Sequence, residues 1–303
     1  MYYSKKHKNN KYKKIRQQKS RKYKKTKRII KQLAGSNSFN YENLEPYKKK
    51  INKNKYGGSN ILSGKKSISE FKHLLRPYIG KKEYVLLCLP GPSILNLKDK
   101  KKFSKKFIDK CTIIAIKNSI NYIKELDLPV DFLLTNHQGG YNKINFNHLK
   151  GVNKPINICH TYGNPKYSQW DFIINFKGKE KYDSFDCVDN NLDDCLNFKE
   201  ENNELNVPNQ HGSTTILELG IPVSLLLKPK KIIIIGWDLD IKQMGYYNRT
   251  TIPNVLLDDQ KWINKIIKNT SNLKNYIKHH YNIDIYKVSP IQKINFPIFN
   301  SYL

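Results

Sequence analysis

The chain has 303 residues, and its 55 lysines and arginines against 25 aspartates and glutamates give a formal net charge of +30. With 38% hydrophobic and 12% aromatic residues it carries enough apolar surface for a sizeable core. This composition excludes wholesale disorder, a collagen-like repeat and a small disulfide-framework protein. A charge of this size is typical of nucleic-acid-binding proteins, so its position along the chain decides what it means.

Most of the excess charge lies near the N-terminus. Residues 1–82 hold 26 basic and 3 acidic residues, a net of +23, whereas residues 83–303 hold 29 basic and 22 acidic residues, a net of +7. Residues 1–60 repel one another and carry few apolar groups, which predicts a disordered basic arm, followed by a linker with a short helix at 61–82. Two interpretations of the arm stay open: a solubilising tail, or a segment that binds a polyanion such as nucleic acid or an anionic membrane surface.

Targeting and redox signals point to the cell interior. No apolar stretch follows the charged N-terminus, and no apolar run reaches the roughly 20 residues that a membrane-spanning helix needs. The five cysteines form no CxxC pair, and Cys88, Cys111 and Cys159 lie in or beside apolar runs, which favours buried, reduced thiols. We therefore expect a cytoplasmic protein that is not transmembrane.

Short apolar runs alternate with helical patterns along residues 83–303, the predicted folded domain. Several runs are apolar on both faces, which predicts a doubly wound, mostly parallel, Rossmann-like α/β sheet covered by helices. The acidic segment 181–204 lacks periodicity and predicts a long excursion or a flexible lid. Pro222 predicts a kink or a shortened helix. The predicted strands are 84–89, 112–116, 131–134, 156–159, 172–174, 231–235 and 283–288, and the predicted helices are 69–78, 119–126, 213–227 and 258–280.

Polar residues follow the predicted strands, at one end of the sheet. In an open parallel sheet, ligands bind beyond the carboxyl ends of the strands, so these residues are candidates for a binding site. A glycine there lets the backbone approach a ligand, and a serine hydroxyl can donate to it. The candidates are Gly91, Pro92 and Ser93 after the first strand, Asn118 after the second, Asn136 and His137 after the third, His160 after the fourth, and Gly236 and Asp238 after the strand at 231–235.

A Gly-Ser-Thr sequence precedes the predicted helix at 213–227. Free backbone N–H groups and hydroxyls at a helix start suit a phosphate, but a plain N-cap explains the same residues equally well. The residues are His211, Gly212, Ser213 and Thr214. Histidines near strand ends or helix starts are candidate general bases, because imidazole titrates near neutrality. They are His137, His160 and His211.

Asp238 and Asp240 form an Asp-x-Asp motif. On an extended segment both carboxylates would point to one side, where they could hold a Mg²⁺ or Mn²⁺ ion that bridges a diphosphate. The alternative is a loop in which Asp238 caps a turn and Asp240 is solvated. Both interpretations stay open.

In their order along the chain, these motifs resemble the bacterial CMP-sialic-acid-dependent sialyltransferases. They are also similar to the related domain of motility-associated glycosyltransferases and of archaeal hydroxymethylpterin pyrophosphokinase-like proteins. The resemblance covers roughly residues 83 to 290, and the order and spacing of the motifs carry more weight than any one of them. The matching stretches are YVLLCLPGPSI, IIAIKNS, DFLLTNH, PINICHTYGN, HGSTTILELGIPVSLLLKPKKIIIIGWDLD and HHYNIDIYKVSP.

The resemblance implies roles for these residues. Gly91, Pro92, Ser93 and Asn118 would cradle the nucleotide, Asn136 and the Ser213/Thr214 turn would face the sugar or phosphate, and Asp238 would close the nucleotide pocket. In the sialyltransferases a histidine in the lid after the Gly-x-Asp loop is the catalytic base, but the corresponding segment here, 241–259, has none. His160 or His211 could substitute for it. Tyr246 and Tyr247 could donate hydrogen bonds to the departing phosphate.

Three functional hypotheses follow. The first is a glycosyltransferase that moves a sugar from a CMP-sugar or another nucleotide sugar to a glycan or protein acceptor. The second is a metal-dependent diphosphotransferase of the pterin pyrophosphokinase-like type, with Asp238 and Asp240 on the metal. The third is a catalytically inactive protein that binds polyanions through its basic arm.

Overall fold

A computed structural model describes residues 67–135, 144–151, 153–160, 170–174, 196–201, 204–206, 215–239 and 257–300. The predicted basic arm lies outside these residues, as do most of the excursion at 181–204 and the segment 240–256. The arm and the lid therefore stay predictions.

The centre of the fold is a seven-stranded sheet in which every pair of neighbouring strands is parallel, in the order β5-β4-β3-β2-β1-β8-β9. It confirms the predicted Rossmann-like α/β class, and each predicted strand is found with its ends within one residue. The strands are β1 Tyr84–Cys88, β2 Cys111–Ile116, β3 Phe132–Thr135, β4 Ile156–His160, β5 Phe172–Ile174, β8 Lys231–Ile235 and β9 Asp284–Lys287.

Both faces of the sheet are buried, which explains why the strands are continuous apolar runs. Successive side chains of a strand point to opposite faces. Leu87 and Ile234 therefore belong to one apolar cluster and Leu86 and Ile233 to another, and all four are fully buried. Helices cover both clusters, which is the doubly wound arrangement.

The predicted helices 119–126 and 258–280 are found with their ends within one residue, whereas the predicted helix 69–78 ends three residues earlier, at Leu75. The helix at Lys105–Ile108 was not predicted. The first helix begins with a capping box, in which the Ser67 side chain accepts from the Glu70 N–H while the Glu70 carboxylate accepts from the Ser67 N–H. The α-helices are α1 Ile68–Leu75, α2 Lys105–Ile108, α3 Ser119–Glu125, α4 Ile221–Leu226 and α5 Leu257–Tyr281, and the 3₁₀ helices are Pro92–Lys98 and Phe146–Leu149.

Pro222 divides the predicted helix at 213–227, as expected. A π-helical turn at Ile216–Gly220 runs directly into α4, and Pro222 is in the first turn of α4. Proline has no N–H to donate, so the regular hydrogen-bond ladder cannot pass through it. The first turn of a new helix needs no such donor, and Pro222 is tolerated there.

The last part of the predicted excursion forms a small hairpin. Strands β6 Lys199–Glu201 and β7 Glu204–Asn206 pair antiparallel in a separate two-stranded sheet. Leu205 is buried in the same apolar cluster as Leu87. The polar composition of 181–204 does not predict this hairpin. Leu196 and Phe198, just before it, are buried in the same cluster as Leu205 and help to attach it to the core.

The cysteines of the described residues agree with the expectation from the sequence that they are buried. Cys88, Cys111 and Cys159 are all buried. Burial raises the pKa of the Cys111 thiol to about 12, so it stays protonated at neutral pH. Among the described helices, none combines the length and apolar character needed to cross a membrane.

Candidate functional site

The chain reverses its direction across the sheet at β1. From β1 it proceeds outward through β2, β3, β4 and β5 on one side, and it later returns to β8 and β9 on the other side. The strands β1 and β8 are parallel neighbours, but the loop after β1 leads towards β2 on one side and the loop after β8 leads towards β9 on the other. In α/β proteins with an open parallel sheet, ligands bind at such a switch point, outside the carboxyl ends of the strands. The two loops are 89–93 and 236–239.

Hydrogen bonds join the two loops to each other. The Ser93 N–H donates to Asp238 Oδ2 at 2.8 Å, and the Gly236 N–H donates to Ser93 Oγ at 2.8 Å. The Gly91 N–H donates to the Gly236 carbonyl at 3.0 Å. Ser93 is 0% exposed and Asp238 is 5% exposed. Since Ser93 Oγ acts as an acceptor here, its own hydroxyl proton can be donated to another group.

Two glycines allow this close approach. A Cβ atom on Gly91 would lie 2.4 Å from the Gly236 carbonyl oxygen and 2.7 Å from Asp238 Oδ2. Gly236 has a φ of +81°, and a Cβ there would lie 1.9 Å from the Leu89 carbonyl oxygen. Any side chain at either position would force the loops apart, which explains glycine at both.

Asn118 and Ser119 bring the end of β2 to the same edge. Ser119 Oγ donates to the Cys88 carbonyl at 2.8 Å and accepts from the Ile116 N–H at 3.0 Å, so it ties β2 to the end of β1. Asn118 is 3% exposed, and its side-chain Oδ1 has no hydrogen-bond partner. A buried acceptor without a partner is costly, so Asn118 Oδ1 is well suited to accept an N–H or O–H from a ligand.

Two threonines at this edge were not among the predicted site residues. Thr135 is the last residue of β3 and Thr215 directly precedes the π-helical turn, and both are almost fully buried. The Oγ1 atom of each has no hydrogen-bond partner. Thr135 directly follows the predicted strand 131–134, so the strand-end rule applies to it, whereas only burial distinguishes Thr215 from an ordinary threonine.

The C-terminal segment supports the loop that carries Asp238. Gln292 is fully buried, and its Oε1 accepts from the Val288 and Ser289 N–H groups at 2.8 and 3.0 Å. Its Nε2 donates to the carbonyl oxygen of Ile234, in β8, at 3.2 Å. The next residue, Lys293, donates its N–H to the Asp238 carbonyl at 2.8 Å. The sequence gives no sign of this support beyond a Ser-Pro pair after the last strand.

The structure brings together part of the predicted site. Gly91, Ser93 and Asp238 are in direct contact, and Pro92 begins the 3₁₀ helix that follows. His160 is the last residue of β4, with β2 and β3 between it and β1. At about 4.8 Å per strand, this places its backbone roughly 14 Å from the end of β1. The other candidates lie outside the described residues: Asn136, His137, His211, Gly212, Ser213, Thr214, Asp240, Tyr246 and Tyr247.

The described residues do not by themselves fit a divalent cation. Asp238 Oδ2 already accepts the Ser93 N–H, and the side chain is buried between the two loops. Within the described ranges, no three His, Cys, Asp or Glu side chains come together as metal ligands. Asp240, the second half of the Asp-x-Asp motif, is not among those residues. The prediction of Mg²⁺ or Mn²⁺ binding therefore stays a prediction.

Among solved structures, the chain has a likeness to a glycosyltransferase. No protein-family model matches the chain, and no curated protein matches it either. The solved structure of the MAf glycosyltransferase from Magnetospirillum magneticum AMB-1 is similar in chain path, with a TM-score of 0.45 and 12% sequence identity. The match covers 74% of this chain and 35% of the other, so this chain spans little more than a third of that protein.

Proposed function

We propose that the protein is a glycosyltransferase that uses a nucleotide-activated sugar, with the nucleotide at the carboxyl ends of the strands, next to the joined loops after β1 and β8. The observation that supports this proposal best is the direct bonding of Ser93 to Asp238 and Gly236 at the switch point of the sheet. It fixes two glycine loops side by side at the edge where parallel sheets bind nucleotides. The resemblance of the motifs to sialyltransferases supplies the expected chemistry.

In the proposed complex, Asn118 Oδ1 accepts a hydrogen bond from the nucleotide. Its burial and its lack of a protein partner suit this role. The Ser93 hydroxyl is a candidate donor to the nucleotide, because its oxygen accepts the Gly236 N–H and its own proton is left to donate. The Asp238 carboxylate holds the Ser93 backbone in place, so it acts on the nucleotide through the shape of the loop.

The proposed reaction is a direct displacement at the anomeric carbon of the donor sugar. The acceptor hydroxyl forms the new glycosidic bond, the bond to the nucleotide phosphate breaks, and a base takes the hydroxyl proton. His160 and His211 are the proposed candidates for that base. The negative charge that develops on the departing phosphate would be stabilised by Tyr246, Tyr247 or the N–H groups at 213–214. The proposed acceptor is a glycan or a protein.

The test of the binding site is calorimetric titration of the full-length protein with CMP, UDP and GDP. We expect one of the three to bind, and Asn118→Ala to weaken that binding about tenfold, which corresponds to one buried hydrogen bond. Asn275→Ala, at an exposed position on α5, is the matched control and should not change the affinity. Absence of binding to all three nucleotides, or equal affinities of Asn118→Ala and wild type, would contradict the proposal.

The test of the reaction class is release of free nucleotide from CMP-, UDP- and GDP-sugars, with and without EDTA. Sugar transfer of the sialyltransferase-like type predicts release that survives EDTA. A diphosphotransferase with Asp238 and Asp240 on a metal ion predicts no release from these sugars. It predicts instead that a nucleoside triphosphate gives its terminal diphosphate to a pterin acceptor and leaves as the monophosphate, in a reaction that EDTA stops and Mg²⁺ restores. Nucleotide binding without turnover of any donor would favour an inactive protein.

A further inference from the structure

A second concentration of positive charge lies on the folded part of the chain. Residues 98–106, from the last residue of the 3₁₀ helix Pro92–Lys98 to the second residue of α2, contain six lysines and one aspartate, a net charge of +5. Since residues 83–303 have a net charge of +7, the remainder of that region is close to neutral. We call 98–106 the lysine loop. Its lysines are Lys98, Lys100, Lys101, Lys102, Lys105 and Lys106.

The lysine loop is held in place by contacts that leave most of its lysine side chains exposed to solvent. Asp99 Oδ1 accepts the N–H groups of Lys101 and Lys102 at 3.0 and 3.2 Å, so its one carboxylate is engaged with the backbone. Phe103 is 2% exposed and anchors the loop in the core, and Ser104 caps α2. The ion pairs recorded between described residues involve none of its lysines. Five of the six lysines are exposed, namely Lys98, Lys100, Lys101, Lys105 and Lys106.

An exposed leucine lies beside these charges. Leu95 is 41% exposed, one of only three large hydrophobic side chains in the described residues with such exposure. In a 3₁₀ helix, residues three apart lie on the same side, so Leu95 and Lys98 are neighbours on the surface. An apolar side chain among ammonium groups is typical of surfaces that lie in the headgroup region of a bilayer.

Nucleic acid is the less suitable partner for this surface. Proteins that bind single strands stack bases on exposed aromatic rings. The aromatic rings in and next to the lysine loop are not available for stacking. Phe103 is buried, and Phe107 stacks on Tyr84 with ring centroids 5.6 Å apart. The surface therefore offers charge and an aliphatic side chain, but no platform for a base.

We infer that the lysine loop and Leu95 form a docking surface for an anionic lipid bilayer. The lysines attract the phosphate headgroups, and Leu95 enters the boundary between headgroups and acyl chains. Ser93 belongs to the same 3₁₀ helix as Leu95, so the bilayer would lie next to the loop after β1 in the candidate site. This surface does not depend on the proposed sugar transfer, and it is separate from any binding by residues 1–60.

The test is the partition of the full-length protein onto phosphatidylcholine vesicles with and without phosphatidylglycerol. We expect binding to the anionic vesicles only. Replacement of four lysines of the loop should lower the partition coefficient about tenfold or more, and Leu95→Asn should lower it about threefold. The four replacements are Lys100→Gln, Lys101→Gln, Lys105→Gln and Lys106→Gln.

A matched variant removes four exposed lysines from other parts of the surface, so that both variants have the same net charge and the same basic arm. It should change the partition coefficient about twofold at most. The control replacements are Lys72→Gln, Lys81→Gln, Lys230→Gln and Lys268→Gln. Hydrogen exchange on wild type with anionic vesicles should show slower exchange of the amides at 95–106.

Three outcomes would overturn the inference. The first is an equal loss of vesicle binding in the two fourfold variants, because it would mean that only net charge matters. The second is unchanged exchange at 95–106 while the protein is bound to vesicles, because residues outside this surface would then make the contact. The third is a loss of affinity for a single-stranded RNA oligonucleotide that exceeds the loss for vesicles, because the surface would then serve nucleic acid.

Discussion

The Ser93 backbone N–H donates to Asp238 Oδ2 at 2.8 Å, although 145 positions separate the two residues in the chain. This bond holds the loop after β1 against the loop after β8. It uses a buried carboxylate for a structural purpose at the centre of the candidate site. Its removal should therefore affect both the free energy of unfolding and the binding of a nucleotide.

Asp238→Ala should lower the free energy of unfolding by about 1–3 kcal/mol, because it leaves the buried Ser93 N–H without an acceptor. Asp238→Asn keeps one side-chain carbonyl oxygen and should recover much of this loss. The measurement is urea denaturation, in which the midpoint shifts at an unchanged m-value. Equal destabilisation by the two variants would show that the charge of Asp238 matters more than the hydrogen bond.

Gly91→Ala should lower the free energy of unfolding by about 2–4 kcal/mol and weaken nucleotide binding, because the new Cβ would overlap backbone and carboxylate atoms of the other loop. The contrasting variant is Gly220→Ala. Its Cβ would meet Ile116 Cδ1 at 3.0 Å and Leu87 Cδ2 at 3.3 Å, which are ends of flexible side chains. That variant should stay within about 1 kcal/mol of wild type, since alanine also favours a helix over glycine. Similar denaturation midpoints for both variants would argue against the close contact of the loops.

Gln292→Leu should lower the free energy of unfolding by about 2–4 kcal/mol, because the N–H groups of Val288 and Ser289 and the Ile234 carbonyl lose their partner. Hydrogen exchange should become faster at Val288, Ser289 and Lys293. Ser224→Ala, which removes one buried hydrogen bond to the Gly220 carbonyl, is the control. The effect of Ser224→Ala on hydrogen exchange should stay within α4. If both variants speed up exchange at the same amides, Gln292 supports the whole fold rather than the loop that carries Asp238.

Asp131 should make the stability depend on pH. Burial raises the pKa of Asp131 above its ordinary value. The Ile113 N–H, which donates to Asp131 Oδ2 at 2.7 Å, favours the ionised form but does not offset the effect of burial. A carboxyl group with a higher pKa in the folded state binds its proton more readily there, so it stabilises the fold at low pH. This contribution is lost as the pH rises through the raised pKa. The unfolding free energy of wild type relative to Asp131→Asn should therefore increase as the pH falls from 7 towards about 4.

The measurement for Asp131 is a series of urea denaturations across that pH range. Glu125→Gln, which changes an exposed carboxylate of α3, controls for general effects of acid on the fold. A difference between wild type and Asp131→Asn that does not vary with pH would contradict the prediction.

The strands could be predicted because each is an apolar run, and the strand-end rule then selected Gly91, Ser93, Asn118 and Asp238. The bonds among them could not be predicted, because they depend on which strands are neighbours. In chain order β1 is followed by β2, and only the folded sheet shows that β8 lies on its other side. The role of Gln292 depends on where the turn after β9 contacts the sheet, and no local sequence pattern predicts that position.

The central position of β1 has a consequence for how the protein is made. One edge of β1 pairs with β2, which follows closely in the chain, but the other edge pairs with β8. On the ribosome, β1 to β5 emerge well before β8, so β1 has an open apolar edge for much of synthesis. Such an edge is a template for pairing with another chain, and closure between distant segments is slow. We therefore expect the pairing of β1 with β8, which joins the two loops of the candidate site, to be a slow step of folding.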